Sequence, residues 1–136
     1  MGKVHLEVVT PEKVVVSEKV ETVVAPGILG TFGVLPGHAR MLTGIVPGEV
    51  RWKTGDREVS LAVSSGFAEV ADDRVSILVD TAEKPEEIDL DRANNAMGRA
   101  KTRLFGGAGT ETVDFARAKA ALDRAVTRIN VAKKSR

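Results

Sequence analysis

The chain has 136 residues, of which 43% are hydrophobic and 29% are charged, and it contains no cysteine. This length and apolar content allow one ordinary domain or two small ones, each with a core. The lack of cysteine excludes a disulfide framework and any thiolate metal site.

The net charge of +1 hides an uneven distribution of charge along the chain. Residues 1–88 carry 9 Lys/Arg against 14 Asp/Glu, and residues 89–136 carry 11 Lys/Arg against 5 Asp/Glu. Such asymmetry predicts an acidic partner for the C-terminal part. A nucleotide, an acidic protein surface, nucleic acid and the chain's own N-terminal half all fit. Aromatic residues are only 4% and tyrosine is absent, which disfavours base stacking on nucleic acid.

Residues 1–84 are predicted to form an antiparallel β-sandwich. Short valine-rich runs recur between turn signals such as Pro47-Gly48 and Thr54-Gly55-Asp56, and Asp72-Asp73 is predicted to make the last tight connection. No window in this part shows a convincing helical period. The predicted strands lie at about residues 4–9, 14–16, 20–24, 42–46, 50–53, 59–63, 67–70 and 75–79.

Residues 26–38 are predicted to form a long, tightly turned connection between two strands. Its glycines can supply positive φ at a corner of the sandwich. A surface loop that carries Phe32 and Leu35 is also typical of an interface, because exposed apolar patches usually mark one. Both interpretations stay open at this point.

Residues 85–136 are predicted to form a two-helix hairpin, so the fold class is a β-sandwich followed by an αα-hairpin. Asp89 or Asp91 can cap the first helix, Phe105-Gly106-Gly107 ends it, and Thr110 begins the second. The period of apolar residues predicts a seam between the helices that is mostly alanine. Its members are Ala93, Ala96, Met97, Ala100 and Leu104 on the first helix and Phe115, Ala118, Leu122, Ala125, Val126, Ile129 and Ala132 on the second.

Catalytic signals are scarce in this sequence. The two histidines, His5 and His38, belong to no metalloprotease pattern, and the chain has no Walker A or nucleophile-elbow motif. His5 lies in a predicted strand and is expected to be structural, whereas His38 lies in a loop where a partner contact is conceivable. We therefore expect no catalytic residue and no metal site.

Arginines recur at helical spacing on both predicted helices. Arg92 and Arg99 stand seven residues apart on the first helix, and Arg117, Arg124 and Arg128 form a ridge on the second. A solvated helix face commonly has this composition. The functional alternative is an anion cradle between the helices, because forked guanidinium groups bind phosphate oxygens well.

Five segments occur in an order that is typical of one family. They are residues 6–12, 24–27, the Gly33-Val34-Leu35-Pro36-Gly37-His38-Ala39 segment, 64–70, and 88–93. Together they closely resemble the epsilon subunit of bacterial and chloroplast F-type ATP synthases, which is called delta in mitochondria. The resemblance extends from about residue 3 to residue 133. Residues 105–110 depart from it, since the usual turn between the helices is shorter.

The resemblance implies a subunit of the central stalk. Such a subunit binds gamma, rests its sandwich on the c-ring, and couples rotation to ATP synthesis in the alpha/beta catalytic head. Its hairpin can extend along gamma and inhibit ATP hydrolysis, with basic residues meeting an acidic segment of beta. The resemblance places Thr31, His38 and Met41 at gamma or the c-ring, and Arg117, Arg124 and Arg128 on the inhibitory basic face.

In some bacterial members of that family the folded hairpin binds ATP through an Ile/Leu-Asp-x-x-Arg-Ala motif. The motif is intact in this chain, so the resemblance implies ATP as a regulatory ligand, with no cofactor required. The implied contacts are Ile88, Asp89, Arg92 and Ala93, with Glu83, Arg99, Arg124 and Arg128 as further members.

Two rival functions remain. The first is a stand-alone nucleotide sensor that uses the same hairpin. The second is a small hydrolase, which the missing nucleophile–base pair disfavours. The absence of a long apolar stretch excludes a membrane-spanning segment, and the absence of a signal-peptide pattern indicates the cytoplasm or another interior compartment. The family resemblance implies contact with the membrane only through the complex. We expect the cytoplasmic face of a bacterial inner membrane, with the chloroplast thylakoid as the alternative.

Overall fold

A computed structural model describes residues 2–105 and 115–134 of the chain. The chain divides into two compact units, Met1–Glu83 and Lys84–Arg136. The first unit is all β, and the second contains two helices, so the expected fold class is confirmed.

The first unit is a barrel-like sandwich whose ten strands belong to one sheet. Their order across the sheet is β10-β7-β6-β3-β5-β8-β9-β1-β2, and β4 pairs with β3. The strands are β1 Val4–Val9, β2 Val14–Val20, β3 Thr22–Gly27, β4 Gly30–Val34, β5 Met41–Ile45, β6 Gly48–Thr54, β7 Arg57–Val63, β8 Gly66–Ala71, β9 Arg74–Val79 and β10 Ala82–Glu83.

Strand alternation builds the core of this unit. Val4, Leu6 and Val8 on β1 are fully buried, while the residues between them are half-buried. Trp52 and Ile77 belong to the same buried cluster, which draws on nearly every strand. Alternate side chains of a strand point to opposite faces, so the valine-rich runs fill one interior from all sides.

Trp52 also connects two strands that are not neighbours in the sheet. Its indole Nε1–H donates a hydrogen bond of 2.7 Å to Glu18 Oε1, which joins β6 to β2, although these two strands share no ladder. Next to it, Glu21 Oε1 accepts a hydrogen bond of 3.1 Å from the Gly55 backbone N–H. The Trp52–Glu18 bond links the strand at one end of the order, β2, to β6 near its middle, as the barrel-like form requires.

Two expectations for this unit were wrong. The segment between Pro26 and His38 is not one long loop, because residues 30–34 form β4, which pairs with β3 through Ala25↔Phe32 and Gly27↔Gly30. The sheet is also not wholly antiparallel, since β1 pairs with β9 in parallel from His5↔Arg74 to Val9↔Leu78. The short β10 was not expected either.

The predicted connection at Asp72-Asp73 is confirmed. Both residues adopt positive φ, at 52° and 57°, between β8 and β9. This geometry belongs to the two-residue hairpin turn in which both central residues are left-handed, and aspartate tolerates it better than most residues.

The second unit consists of the short 3₁₀ helix Pro85–Glu87, α1 Leu90–Phe105 and α2 Phe115–Lys133. The two α-helices pack against each other as a hairpin, and the 3₁₀ helix contacts α2. Most buried residues follow the predicted alanine seam: Ala93, Ala100, Ala118, Ala125, Ile129 and Ala132. Val131 is buried as well, which the seam did not predict. Phe115 and Val126 were placed in the seam wrongly, because they are 63% and 37% exposed.

The predicted end of the first helix and beginning of the second extend beyond the part of the chain that the structure describes. The described part of α1 extends to Phe105, and Gly106, Gly107 and Thr110 lie outside the described residues.

Gly66 illustrates how closely the strands of the first unit approach one another. A Cβ atom at this position would collide with the Leu78 backbone carbonyl, which cannot move without displacing β9. At Gly33 on β4, a Cβ atom would meet only the Val23 carbonyl oxygen at 3.9 Å, which is ordinary contact. The two glycines therefore form a matched pair for substitution by alanine.

We expect Gly66→Ala to lower the free energy of unfolding by about 1–3 kcal/mol, because overpacking against backbone forces the strands apart. Gly33→Ala should change it by no more than about 1 kcal/mol. Urea denaturation of the three proteins measures both values. Equal stabilities of the two variants would contradict the close approach of β8 to β9.

Candidate functional site

One candidate surface is the turn between β4 and β5. The His38 backbone N–H donates to the Leu35 carbonyl at 3.2 Å, with Pro36 and Gly37 between them and Gly37 at φ 83°. Proline followed by a left-handed glycine is the signature of a type II turn. His38 Nδ1 lies 2.6 Å from the Ala39 carbonyl oxygen, which can only accept, so Nδ1 donates.

The three residues that the family resemblance assigned to partner contact have different environments. Thr31 is exposed on β4, and His38 is half-buried next to the turn. Met41 packs against the core, whereas its neighbour Leu42 points outward and is 70% exposed. Leu42 was missed, although alternation along β5 between Met41 and Ile45 would have found it.

An apolar row crosses the outer surface of the first unit. Phe67 pairs with Leu78, Leu78 with Val9, and Val9 with Val14, so their side chains share one face of β8, β9, β1 and β2. Phe67 is 47% exposed and Leu78 is 38% exposed. An open cavity of about 610 Å³ is lined by Val9, Phe67 and Leu78 among others. Contiguous exposed apolar surface of this kind marks an interaction site.

In the second unit, the start of α1 has the predicted cap. Asp89 Oδ1 accepts a hydrogen bond of 3.1 Å from the Arg92 backbone N–H, and the Asp89 carbonyl accepts from the Ala93 N–H at 3.0 Å. Asp89 is therefore the N-cap of α1, as expected. Ile88, the residue before it, is buried.

The arginines flank the seam of the hairpin in a regular way. Arg92, Arg99, Arg117 and Arg124 are exposed, and each directly precedes a buried seam alanine. One residue corresponds to about 100° around a helix, so each arginine lies about 100° before the seam on its own helix. Because the two helices run antiparallel, this offset turns both rows toward the same side of the hairpin.

The two rows arise from an internal repeat that the sequence reasoning overlooked. Residues 92–104 and 117–129 share one pattern, Arg-Ala-x-x-Ala-apolar-x-Arg-Ala-x-Thr-Arg-apolar. The repeat adds Arg103, which matches Arg128 and is exposed on α1. We call the combined surface the arginine face; its members are Arg92, Arg99, Arg103, Arg117, Arg124 and Arg128.

Metal binding and membrane insertion find no support within residues 2–105 and 115–134. No group of three or more His, Asp or Glu side chains there could hold a metal ion. In the same ranges, no helix has the length and apolar character that crossing a bilayer requires.

Comparison with known protein families accounts for both units. The model of the ATP synthase delta/epsilon chain β-sandwich domain matches residues 3–85, and the model of the delta/epsilon chain long alpha-helix domain matches residues 86–133. The chain belongs to the ATP synthase delta/epsilon family. Family membership makes it a non-catalytic subunit of an ATP synthase.

Curated relatives in this family cover almost the whole chain. The ATP synthase epsilon chain of Nitratidesulfovibrio vulgaris (strain DP4) is 48% identical over 127 residues, which are 93% of each chain. The epsilon chain of Geobacter metallireducens is 47% identical over 133 residues, 98% of this chain and 96% of its own length.

Two solved structures have a similar fold. A chain in the cryo-EM structure of the Euglena gracilis mitochondrial ATP synthase (OSCP/F1/c-ring in rotational state 1) has a TM-score of 0.82 at 24% identity, over 98% of this chain and 82% of that one. A chain in the central stalk/c-ring structure of the Tetrahymena thermophila mitochondrial ATP synthase has a TM-score of 0.58 at 13% identity, over 98% and 96% of the two chains.

The nucleotide contacts that the family resemblance implied fall in both units. Glu83 is half-buried at the end of β10 in the first unit. Ile88, Asp89 and Ala93 are placed by the cap of α1 in the second unit. Arg99 on α1 and Arg124 and Arg128 on α2 belong to the arginine face.

The cap at Asp89 yields a stability prediction. We expect Asp89→Ala to destabilise the second unit by about 1 kcal/mol, because the Arg92 N–H loses its acceptor. Asp89→Asn, which keeps an acceptor oxygen, should cost only a few tenths of that value. Amide hydrogen exchange in the first turn of α1 measures the change. Asp91→Ala serves as the control, and an effect of Asp91→Ala as large as that of Asp89→Ala would contradict the capping role.

Proposed function

We propose that this chain is the epsilon subunit in the central stalk of its ATP synthase. In that place it couples rotation of the c-ring to ATP synthesis, and its hairpin inhibits ATP hydrolysis. The observation that carries the proposal is the division of the molecule into a β unit with an apolar outer row and a hairpin with a one-sided arginine face. The two surfaces suit two different partners.

The first unit is the docking unit in this proposal. The apolar row and the exposed Leu42 provide area for contact with gamma or the c-ring, and the turn at Gly37 and His38 connects β4 to β5. Thr31, exposed on β4, belongs to the same set of contacts. Met41 supports this surface from the core side, because it packs inward.

The hairpin is the inhibitory unit in this proposal. Six arginines on one side create a positive field that favours an acidic partner surface, such as an acidic segment of the beta subunits. The alanine seam buries little area per contact, and burial is worth about 25 cal/mol per Å². The paired helices are therefore held weakly enough to rearrange when a partner binds α2.

The location of the chain relative to the membrane depends on the complex that it joins. We propose that the chain contacts the membrane region only through the c-ring, at the cytoplasmic face of a bacterial inner membrane. The relatives named above come from bacteria, which supports this location over the chloroplast thylakoid.

Removal of residues 89–136 tests the inhibitory role. We expect the truncated subunit to support proton-driven ATP synthesis and to raise ATP hydrolysis by the complex. Reversing Arg117, Arg124 and Arg128 to Glu should give part of that increase. Each exposed ion pair contributes about 0.2–1 kcal/mol, so the inhibited state should be weakened by about tenfold. The effect should shrink as salt rises, since charges are screened over about 8 Å at physiological ionic strength.

The matched control for this experiment reverses three exposed lysines of the hairpin, Lys101, Lys119 and Lys133. They lie about 180° around their helices from the arginine face and change the net charge by the same amount. Both variants and the truncation are assayed for ATP hydrolysis in the reconstituted complex. Hydrolysis that is unchanged by truncation would remove the inhibitory role, and equal effects of the two triple variants would remove the arginine face from it.

We further propose that the folded hairpin binds ATP, either within the complex or as a stand-alone sensor. The supporting observation is the arginine face next to the capped start of α1. Arg92 and Arg99 lie on one helix and Arg124 and Arg128 on the other, all on the same side, where they can converge on a triphosphate. Asp89 Oδ1 is engaged by the cap, and its second oxygen can accept from an adenine amino group. Ala93 leaves space for the base.

Isothermal calorimetry of the purified chain with ATP tests this proposal. A charge-assisted contact contributes about 1.5–3 kcal/mol, so Arg92→Ala should weaken binding by about tenfold or more. Lys101→Ala, on the opposite side of α1, should bind ATP as the unmodified chain does. The absence of heat at millimolar ATP, or equal heat from all three proteins, would leave Asp89 and Arg92 with the capping role alone.

A further inference from the structure

The Asp72-Asp73 turn contacts the proposed docking turn directly. The Gly37 backbone N–H donates a hydrogen bond of 2.6 Å to Asp73 Oδ1. Arg40 Nη2 lies 3.2 Å from Asp72 Oδ2, so both carboxylates reach the chain between β4 and β5. The contacts connect residues that are more than thirty positions apart in the sequence.

The two contacts differ in character. The Arg40–Asp72 ion pair is almost fully in solvent, with side-chain exposures of 78% and 82%, and such pairs contribute little. The bond from Gly37 to Asp73 is short, and it joins a carboxylate to a backbone N–H inside the type II turn. Charge-assisted bonds of this kind are stronger than neutral ones, and both bonded groups are fixed by backbone geometry.

Asp73 is itself fixed at two further points. Its carbonyl oxygen accepts a hydrogen bond of 2.8 Å from the His5 backbone N–H, and its φ of 57° is set by the turn between β8 and β9. The carboxylate therefore projects from a position anchored to β1, β8 and β9. The turn at Gly37 is held against this position, although its own ladder contacts end at Val34 and resume only at Met41.

We propose that Asp73 is a positioning residue that holds the Leu35–His38 turn in the conformation that binds the gamma subunit. This inference rests on the docking role proposed above and assigns a specific part of it. A preorganised turn binds with a smaller loss of conformational freedom than a mobile one. The turn is already ordered in the folded protein before gamma binds. Loss of the Asp73 carboxylate therefore lowers the affinity for gamma more than it lowers the stability of the fold.

Substitutions in the two turns separate an effect on docking from an effect on folding. Asp73→Gly keeps the positive φ and the carbonyl bonded to His5, but it removes the acceptor for Gly37. Asp73→Asn keeps an acceptor oxygen and the tolerance for positive φ. Asp72→Gly removes only the exposed pair with Arg40 and is the matched control. Gly37→Ala is an independent route, because its Cβ would meet nothing within 4 Å and the substitution acts through the φ of 83° alone.

Two measurements on the full chain test the inference. Amide exchange at Gly37 should accelerate by about tenfold or more in Asp73→Gly and stay near the unmodified rate in Asp72→Gly. Affinity for the purified gamma subunit of the same organism should fall by about tenfold in Asp73→Gly and in Gly37→Ala. It should be largely restored in Asp73→Asn and be unchanged in Asp72→Gly. The urea midpoint should be nearly constant across the Asp72 and Asp73 variants, whereas Gly37→Ala should lower it because alanine is strained at a φ of 83°.

The outcomes separate the inference from the docking proposal. If the unmodified chain fails to bind gamma, the proposed contact with gamma is overturned and this inference with it, whereas the proposed contact with the c-ring is not affected. If the unmodified chain and Asp73→Gly bind gamma equally while Gly37 exchange accelerates, the docking proposal stands and the positioning role is overturned. Equal losses in Asp72→Gly and Asp73→Gly would also overturn it, because they would indicate a general effect of negative charge.

Discussion

The parallel pairing of β1 with β9 is the contact on which the rest of the first unit depends. It joins the first strand to the last long strand and places both in one sheet around the valine-rich core. The apolar row exists because Leu78 on β9 lies opposite Val9 on β1. The same pairing anchors Asp73 through His5 and so brings its carboxylate to Gly37. Both features of the proposed docking surface are therefore consequences of one strand pairing.

In the second unit, the pairing of the two helices depends on the packing of the seam and on the repulsion between arginines. A seam of alanines lets two helices approach closely but buries little area, and six arginines on one side repel one another. The proposed opening of the hairpin rests on these two terms, because both weaken the pairing of the helices. In the proposed function, an anion such as ATP that binds across the arginine face relieves this repulsion and selects the closed state. In the same proposal, a partner that binds α2 alone selects the open state, so one charge pattern is assigned two opposed forms of regulation.

The internal repeat explains why the arginines lie on one side of the hairpin. Because α1 and α2 carry the same pattern and run antiparallel, the arginines of one helix are related to those of the other by an approximate two-fold axis. If the two helices had unrelated sequences, their arginines would lie on both sides of the hairpin. The repeat places the six arginines on one side of the hairpin. The other side carries Lys101, Lys119 and Lys133, so its positive charge is smaller.

Much of this protein is determined by local sequence. Period-two valine runs and period-3.6 alanines fixed the order of a β unit and a helical hairpin, since side-chain direction follows directly from strand and helix geometry. The cap at Asp89 and the turn at Asp72-Asp73 were also predictable, because each depends on residues within a few positions. Only the tertiary structure decided that β4 forms within residues 26–38, that β1 pairs with β9 in parallel, and that Asp73 reaches Gly37. These contacts join distant parts of the chain, and burial of a shared core selects them, so no local pattern encodes them.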